Sequence, residues 1–214
     1  HIRWKVSNSQ KVCHGFPLFH IGGSACMTLG AAAMGAVSLP LYIFKPQVTL
    51  DILENEKCSM FIGAPVHLTA MMQDPTFKNR DLSSLKCLIV GGSNPPVELI
   101  KQFAIEFGAD VINGYGMTET CGLSCTALPT DPPELKAIAG LPLPGVSLRI
   151  VDEDYLTVKN NMPGELLYKG SGLMDGYGNL PDGSSGINDD GWFPTGDLAT
   201  MNENGYINIF FILL

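Results

Sequence analysis

Up to about residue 130, short runs of consecutive apolar residues alternate with stretches whose apolar positions recur at helical spacing. Lys11–Gly15, Ala36–Tyr42, Ser59–Ile62, Lys86–Val90 and Ala109–Ile112 are too short for buried helices and read as strands. Leu50–Lys57, Val66–Gln73 and Pro96–Phe107 carry the helical pattern. The last is preceded by Asn94-Pro95-Pro96-Val97-Glu98, which offers a capping side chain, prolines at the first turn and an acid near the positive end. Strands alternating with helices predict an α/β unit with a mostly parallel sheet covered by helices. Ligands bind such sheets at the carboxyl ends of the strands, which is where Gly91-Gly92-Ser93-Asn94 and Gly114–Thr120 fall.

Two further stretches shape the outline. Ile21 to Phe44 has no formal charge, yet it is rich in Gly, Ala and Ser and is broken at Pro40. A small-residue helix over Ile21–Met34 followed by a strand fits it better than a membrane span. Beyond Thr130-Asp131-Pro132-Pro133 the helical period disappears. Short β-like runs such as Ser147–Val151, Glu165–Tyr168 and Tyr206–Phe211 are set between Pro-Gly turns. The chain therefore divides into an α/β unit, residues 1–130, and a small β-rich, barrel-like unit, residues 131–214.

Composition narrows the partners. The net charge of −8 and the absence of a Lys/Arg stripe argue against nucleic acid, whose phosphates need cations to release counterions. Six scattered cysteines sit mostly in apolar runs, as buried thiols do, and no Cys/His spacing completes a zinc site. His1-Ile2-Arg3-Trp4 lacks the order of a signal peptide. Cytoplasm is the default location, with mitochondrial and peroxisomal addresses left open.

The chemistry concentrates in Gly114-Tyr115-Gly116-Met117-Thr118-Glu119-Thr120. Two glycines allow a tight turn and close approach to a ligand; a ring, a hydroxyl and a carboxylate follow within a few residues. Alone, the same residues could form an ordinary polar turn. Three passages taken together, however, resemble the acyl-CoA synthetase, adenylation-domain and luciferase superfamily of adenylate-forming enzymes. They are Tyr115-Gly116-Met117-Thr118-Glu119; Gly140-Leu141-Pro142-Leu143-Pro144-Gly145; and Gly164-Glu165-Leu166 leading through Gly176-Tyr177 to Gly191-Trp192-Phe193-Pro194-Thr195-Gly196-Asp197. Their order and spacing match across nearly the whole chain.

The resemblance implies a ligase that joins a carboxylic acid to CoA using ATP and Mg²⁺, releasing AMP and pyrophosphate through an acyl-adenylate. It implies that Gly91, Gly92, Ser93, Asn113 and Gly114 border the adenine, with Tyr115 along its face and Gly116 beside the nucleotide. Thr118 would bond the α-phosphate, Glu119 would hold Mg²⁺ and Asp197 would accept from the ribose hydroxyls. Thr118 and Glu119 are thus the candidate catalytic residues. Pro17-Leu18-Phe19-His20 resembles the segment bordering the family's acyl pocket, so His20, Gly92 and Gly116 are expected to line it. Amino-acid-activating members tend to carry Asp where His20 stands, which points to a fatty acid.

The family's Gly-rich phosphate loop and its mobile C-terminal domain with a catalytic lysine find no counterpart here, so the chain is expected to be an inactive fragment of the large N-terminal domain. Asp182-Gly183-Ser184-Ser185-Gly186 departs from the family's helix-favouring sequence and is expected to be looser. Ile209–Leu214 is expected to be an apolar tail without a partner strand. The alternatives are a non-catalytic nucleotide- or acyl-binding remnant and the adenylation part of a peptide synthetase.

Overall fold

The computed structural model describes residues 8–178 and 186–211. The expectations for the turn at 182–185 and for the end of the tail at 212–214 lie outside them; the described part of the tail does have a partner strand, Ile209 pairing with Ala199 and Phe211 with Leu198. Seven strands form the larger sheet: β1 Lys11–His14, β2 Val37–Pro40, β3 Met60–Gly63, β4 Cys87–Gly91, β5 Asp110–Met117, β6 Gly122–Thr126 and β7 Leu141–Pro142. Their order is β2-β1-β3-β4-β5-β6-β7. The first five strands pair in parallel, and β6 and β7 are added antiparallel. Four more strands, β8 Val146–Val151, β9 Gly164–Gly170, β10 Phe193–Met201 and β11 Ile207–Phe211, make an antiparallel half-barrel in the order β11-β10-β9-β8.

Helices follow the parallel strands. A π-helical segment, Gly22–Leu29, runs into α1 Gly30–Ala33; then come α2 Pro46–Asn55, α3 Pro65–Met72, α4 Val97–Phe107 and α5 Pro133–Lys136. Proline at the first turn starts α2 and α3, and Gly108 in the left-handed region (φ 62) ends α4. Asn94 does not cap α4 as the sequence suggested. Pro96 holds the cap position, and the Asn94 side chain is engaged elsewhere.

Alternation along the strands builds a core on each face of the sheet. Cys13, Phe61, Leu88 and Val111 turn to the face covered by α2–α4, while Val12, Ile62, Ile89 and Ile112 turn to the opposite face with Met27. Each fully buried large side chain contributes about 1.5–3 kcal/mol. None of the six cysteines forms a disulfide, and burial pushes the thiols of Cys13 and Cys87 up to about 12. No described helix is long and apolar enough to cross a membrane.

The sequence placed the end of the fifth strand at Ile112, with a loop over Gly114–Thr120. In the structure β5 continues to Met117, because β6 pairs with its far half and satisfies the backbone there. The change of composition near Thr130 also precedes the change of sheet: α5 and β7 follow it, and the half-barrel begins at Val146.

Candidate nucleotide and acyl site

Two bulged strands meet at the junction of the sheets. On β5 the register with β6 shifts between Tyr115 and Gly116. A Cβ on Gly116 would lie 1.8 Å from the Gly122 carbonyl oxygen, so only glycine permits this approach. On β10 the register with β9 shifts between Pro194 and Leu198, around Thr195-Gly196-Asp197. Side chains satisfy the backbone donors freed by that bulge. Gly196 N–H donates to Glu165 Oε1 (3.1 Å), and Asp197 N–H donates to Thr195 Oγ1 (3.1 Å). Thr195 in turn donates to the Leu166 carbonyl (2.7 Å). Bulges re-aim side chains, and here both do so toward each other.

The result is a hydrogen bond from the Tyr115 hydroxyl to Asp197 Oδ2, both residues being buried. Burial first, and the Asp197 carboxylate second, push the Tyr115 hydroxyl far above its ordinary pKa, so it stays a donor. The Tyr115 ring packs with Cys125 and Ala139 against Ile150, Leu166 and Ala199 of the half-barrel.

Asn113 lies two residues before Tyr115, fully inside. Its Nδ2 donates to Asn94 Oδ1 and to the Ala137 carbonyl (3.1 Å each), leaving Oδ1 buried without a donor among the described residues. Asn94 Nδ2 reaches across to the Ile209 carbonyl on β11, so this side chain ties both sheets together. Sequence reasoning assigned Asn94 to a helix cap and missed this role; nothing local in Asn-Pro-Pro signals a partner 115 positions away.

After β5 a 3₁₀ turn, Thr118–Thr120, exposes Thr118 and half-buries Glu119. The turn is held by Thr120 Oγ1, which contacts Ser124 Oγ (2.8 Å). Glu119 Oε1 accepts from the Tyr177 hydroxyl (3.1 Å), 58 positions further along the chain. No group of three metal-ligating side chains occurs among the described residues.

Beside the junction is an apolar cavity of about 150 Å³. His20, Gly91, Gly92, Gly114 and Gly116 all line it. Gly91 and Gly114 are register partners on adjacent strands. Ser93 is exposed on the turn beyond Gly92 and is not among the lining residues. The His20 ring stacks on Phe16 (5.6 Å, 18°) and its Nδ1 accepts from Gly22 N–H (2.9 Å). A backbone N–H can only donate, so the neutral ring carries its proton on Nε2.

The AMP-binding enzyme family matches residues 1–178. The chain belongs to that family. Among its relatives are an indoleacetate–CoA ligase of Aromatoleum aromaticum, 32% identical over 95% of this chain and 40% of the relative, and a long-chain-fatty-acid–CoA ligase of Bacillus subtilis, 30% identical over 94% and 36%. The N-terminal domain of FACL13 from Mycobacterium tuberculosis superposes with a TM-score of 0.88 at 25% identity, covering 98% of this chain and 52% of that one. The O-succinylbenzoate-CoA synthetase of Bacillus subtilis, solved with AMP, gives 0.86 at 25% identity, covering 97% and 42%. The architecture is that of the adenylate-forming N-terminal domain. The chain spans about 40% of the length of the curated relatives it matches.

Proposed function

We propose that the chain supplies the nucleotide and acyl walls of an acid–thiol ligase that uses ATP and CoA. A carboxylate oxygen attacks the α-phosphorus of ATP and pyrophosphate leaves; the CoA sulfur then attacks the acyl carbon and AMP leaves. The observation that carries this reading is the meeting of β5 and β10 through Tyr115 and Asp197, next to an apolar cavity lined by Gly114 and Gly116, the two neighbours of Tyr115 on β5.

Asn113 Oδ1 supports a nucleotide with an exocyclic amino group, because such a base supplies the donor this buried acceptor lacks. On this reading Gly91, Gly92, Ser93 and Gly114 border the base, Tyr115 and Gly116 flank it, and Asp197 receives the ribose hydroxyls. Thr118, exposed at the turn, bonds the α-phosphate. Glu119 fits Mg²⁺, a cation usually held by one or two carboxylates together with substrate phosphates. Bound Mg²⁺ would neutralise charge as pyrophosphate departs. His20, Gly92 and Gly116 line the acyl pocket, and its described lining residues carry no charged side chain, which suits a fatty or otherwise apolar acid. The 214 residues alone are proposed to bind without turnover, since adenylation in multi-domain enzymes requires closure over the substrates.

Calorimetric titration of the chain with AMP and with a non-hydrolysable acyl-sulfamoyl adenosine tests the reading. Both should bind, and Asp197→Ala should weaken each by about tenfold or more. Absence of binding by both, or affinities indifferent to Asp197→Ala and Tyr115→Ala, overturns it.

A further inference from the structure

The cavity has a wall built from an uncommon element. Gly22–Leu29 is π-helical, and Gly22, Cys26 and Met27 from it face the cavity. The π register brings residues four and five positions apart onto one side, where an α-helix would align three and four. Thr28 Oγ1 donates to the Gly23 carbonyl five residues back (2.8 Å), which reinforces that register. The segment is held close to the chain before it: a Cβ on Gly23 would lie 2.2 Å from the Pro17 carbonyl oxygen. Met27 is buried with Ile62 and Ile89 in the core behind the cavity, so that end is closed by packed side chains. Cys26 Sγ is fixed by the Leu123 N–H at 3.3 Å, and burial raises its thiol pKa, leaving it a neutral wall atom.

These observations set a size. An apolar cavity of about 150 Å³ holds a benzene-sized guest, so the space here takes about six non-hydrogen atoms. We infer that the acyl group admitted here is compact, a single ring or a short or branched aliphatic chain, and that Met27 and Cys26 on the π-helical segment set the limit that excludes long-chain fatty acids. The inference rests on the ligase reading above and narrows its acid.

The test uses acyl-sulfamoyl adenosines carrying phenylacetyl, hexanoyl, dodecanoyl and hexadecanoyl groups, with AMP as the acyl-free reference. The compact pair should bind the chain about tenfold or more tighter than the dodecanoyl and hexadecanoyl compounds. Met27→Ala should narrow that gap by raising the affinity of the dodecanoyl compound while leaving that of AMP unchanged; Cys26→Ala, a smaller excision, should move it in the same direction. Equal affinity across the four acyl groups, or a preference for hexadecanoyl, overturns the size limit while AMP binding keeps the ligase reading standing. Failure of every compound, AMP included, overturns the ligase reading instead. Should Met27→Ala unfold, the unmodified chain still decides through the acyl series.

Discussion

The Tyr115 hydroxyl and the Asp197 carboxylate, 82 positions apart in the chain, are joined by a hydrogen bond buried where the two sheets meet. A hydrogen bond to a charged group contributes about 1.5–3 kcal/mol. Tyr115→Phe should therefore lower the unfolding free energy by about that amount, because Asp197 remains buried with one donor fewer. Asp197→Asn should cost less, since an amide oxygen can still accept from Tyr115. Urea denaturation of the two variants reads the order, and a Tyr115→Phe variant as stable as the parent would contradict it.

Two glycines near the cavity should respond differently to alanine. Gly116→Ala forces a Cβ onto the Gly122 carbonyl, so β5 and β6 must part; overpacking of this kind costs about 3 kcal/mol. Gly92→Ala meets nothing within 4 Å, and its cost is the left-handed backbone (φ 82), about 1–2 kcal/mol. Thermal denaturation should rank Gly116→Ala as the more damaging.

Asn94→Asp separates a bridging role from a capping one. Aspartate is a good helix cap but cannot donate to the Ile209 carbonyl or share Asn94's two-sided pattern. Asn94→Asp and Asn94→Ala should both destabilise, by about 1–3 kcal/mol for groups left unpaired. If Asn94→Asp stabilises the chain in urea, Asn94 acts as a cap after all.

Stability should decline with acid in two stages. His14 is fully buried; its Nδ1 donates to the Phe16 carbonyl (3.1 Å) and its Nε2 faces Ser38 Oγ (3.3 Å). Burial lowers its pKa below the ordinary 6.5. Glu54 accepts from Asp81 N–H and from Arg80, and these two bonds, in that order, lower its pKa below 4.5. Both folded values lie below the unfolded ones. Each contribution is thus complete above the unfolded pKa and is lost as pH falls through the folded one. Denaturation curves should weaken below 6.5 on account of His14 and again below 4.5 on account of Glu54. His14→Gln should reduce the first stage, which His67 shares, and Glu54→Gln the second, which Glu134 shares.

Much of the larger sheet was legible because its strands are buried on both faces, which leaves continuous apolar runs such as Leu88-Ile89-Val90. The resemblance singled out His20, Gly92 and Gly116, and the structure brings these three to one cavity. Other features left no local trace. β10 reads Phe-Pro-Thr-Gly-Asp, a turn by composition, and becomes a strand only because Thr195 and Glu165 satisfy its bulge. The π register of Gly22–Leu29 depends on packing against Pro17 and Gly122, contacts that hydrophobic period does not report. Asn94 and Tyr177 act through partners distant in sequence, invisible to any window along the chain.

β5 is hydrogen-bonded in parallel to β4 on one edge and antiparallel to β6 on the other. Its length is therefore locked from two sides. The two ladders meet at Gly114, so a single-residue deletion between Asp110 and Tyr115 would put them out of step, and holding the β4 register would turn the Tyr115 ring from the half-barrel to the opposite face. In this chain a change of length is then better borne by the connections than by β5, where it would cost the contact between Tyr115 and Asp197.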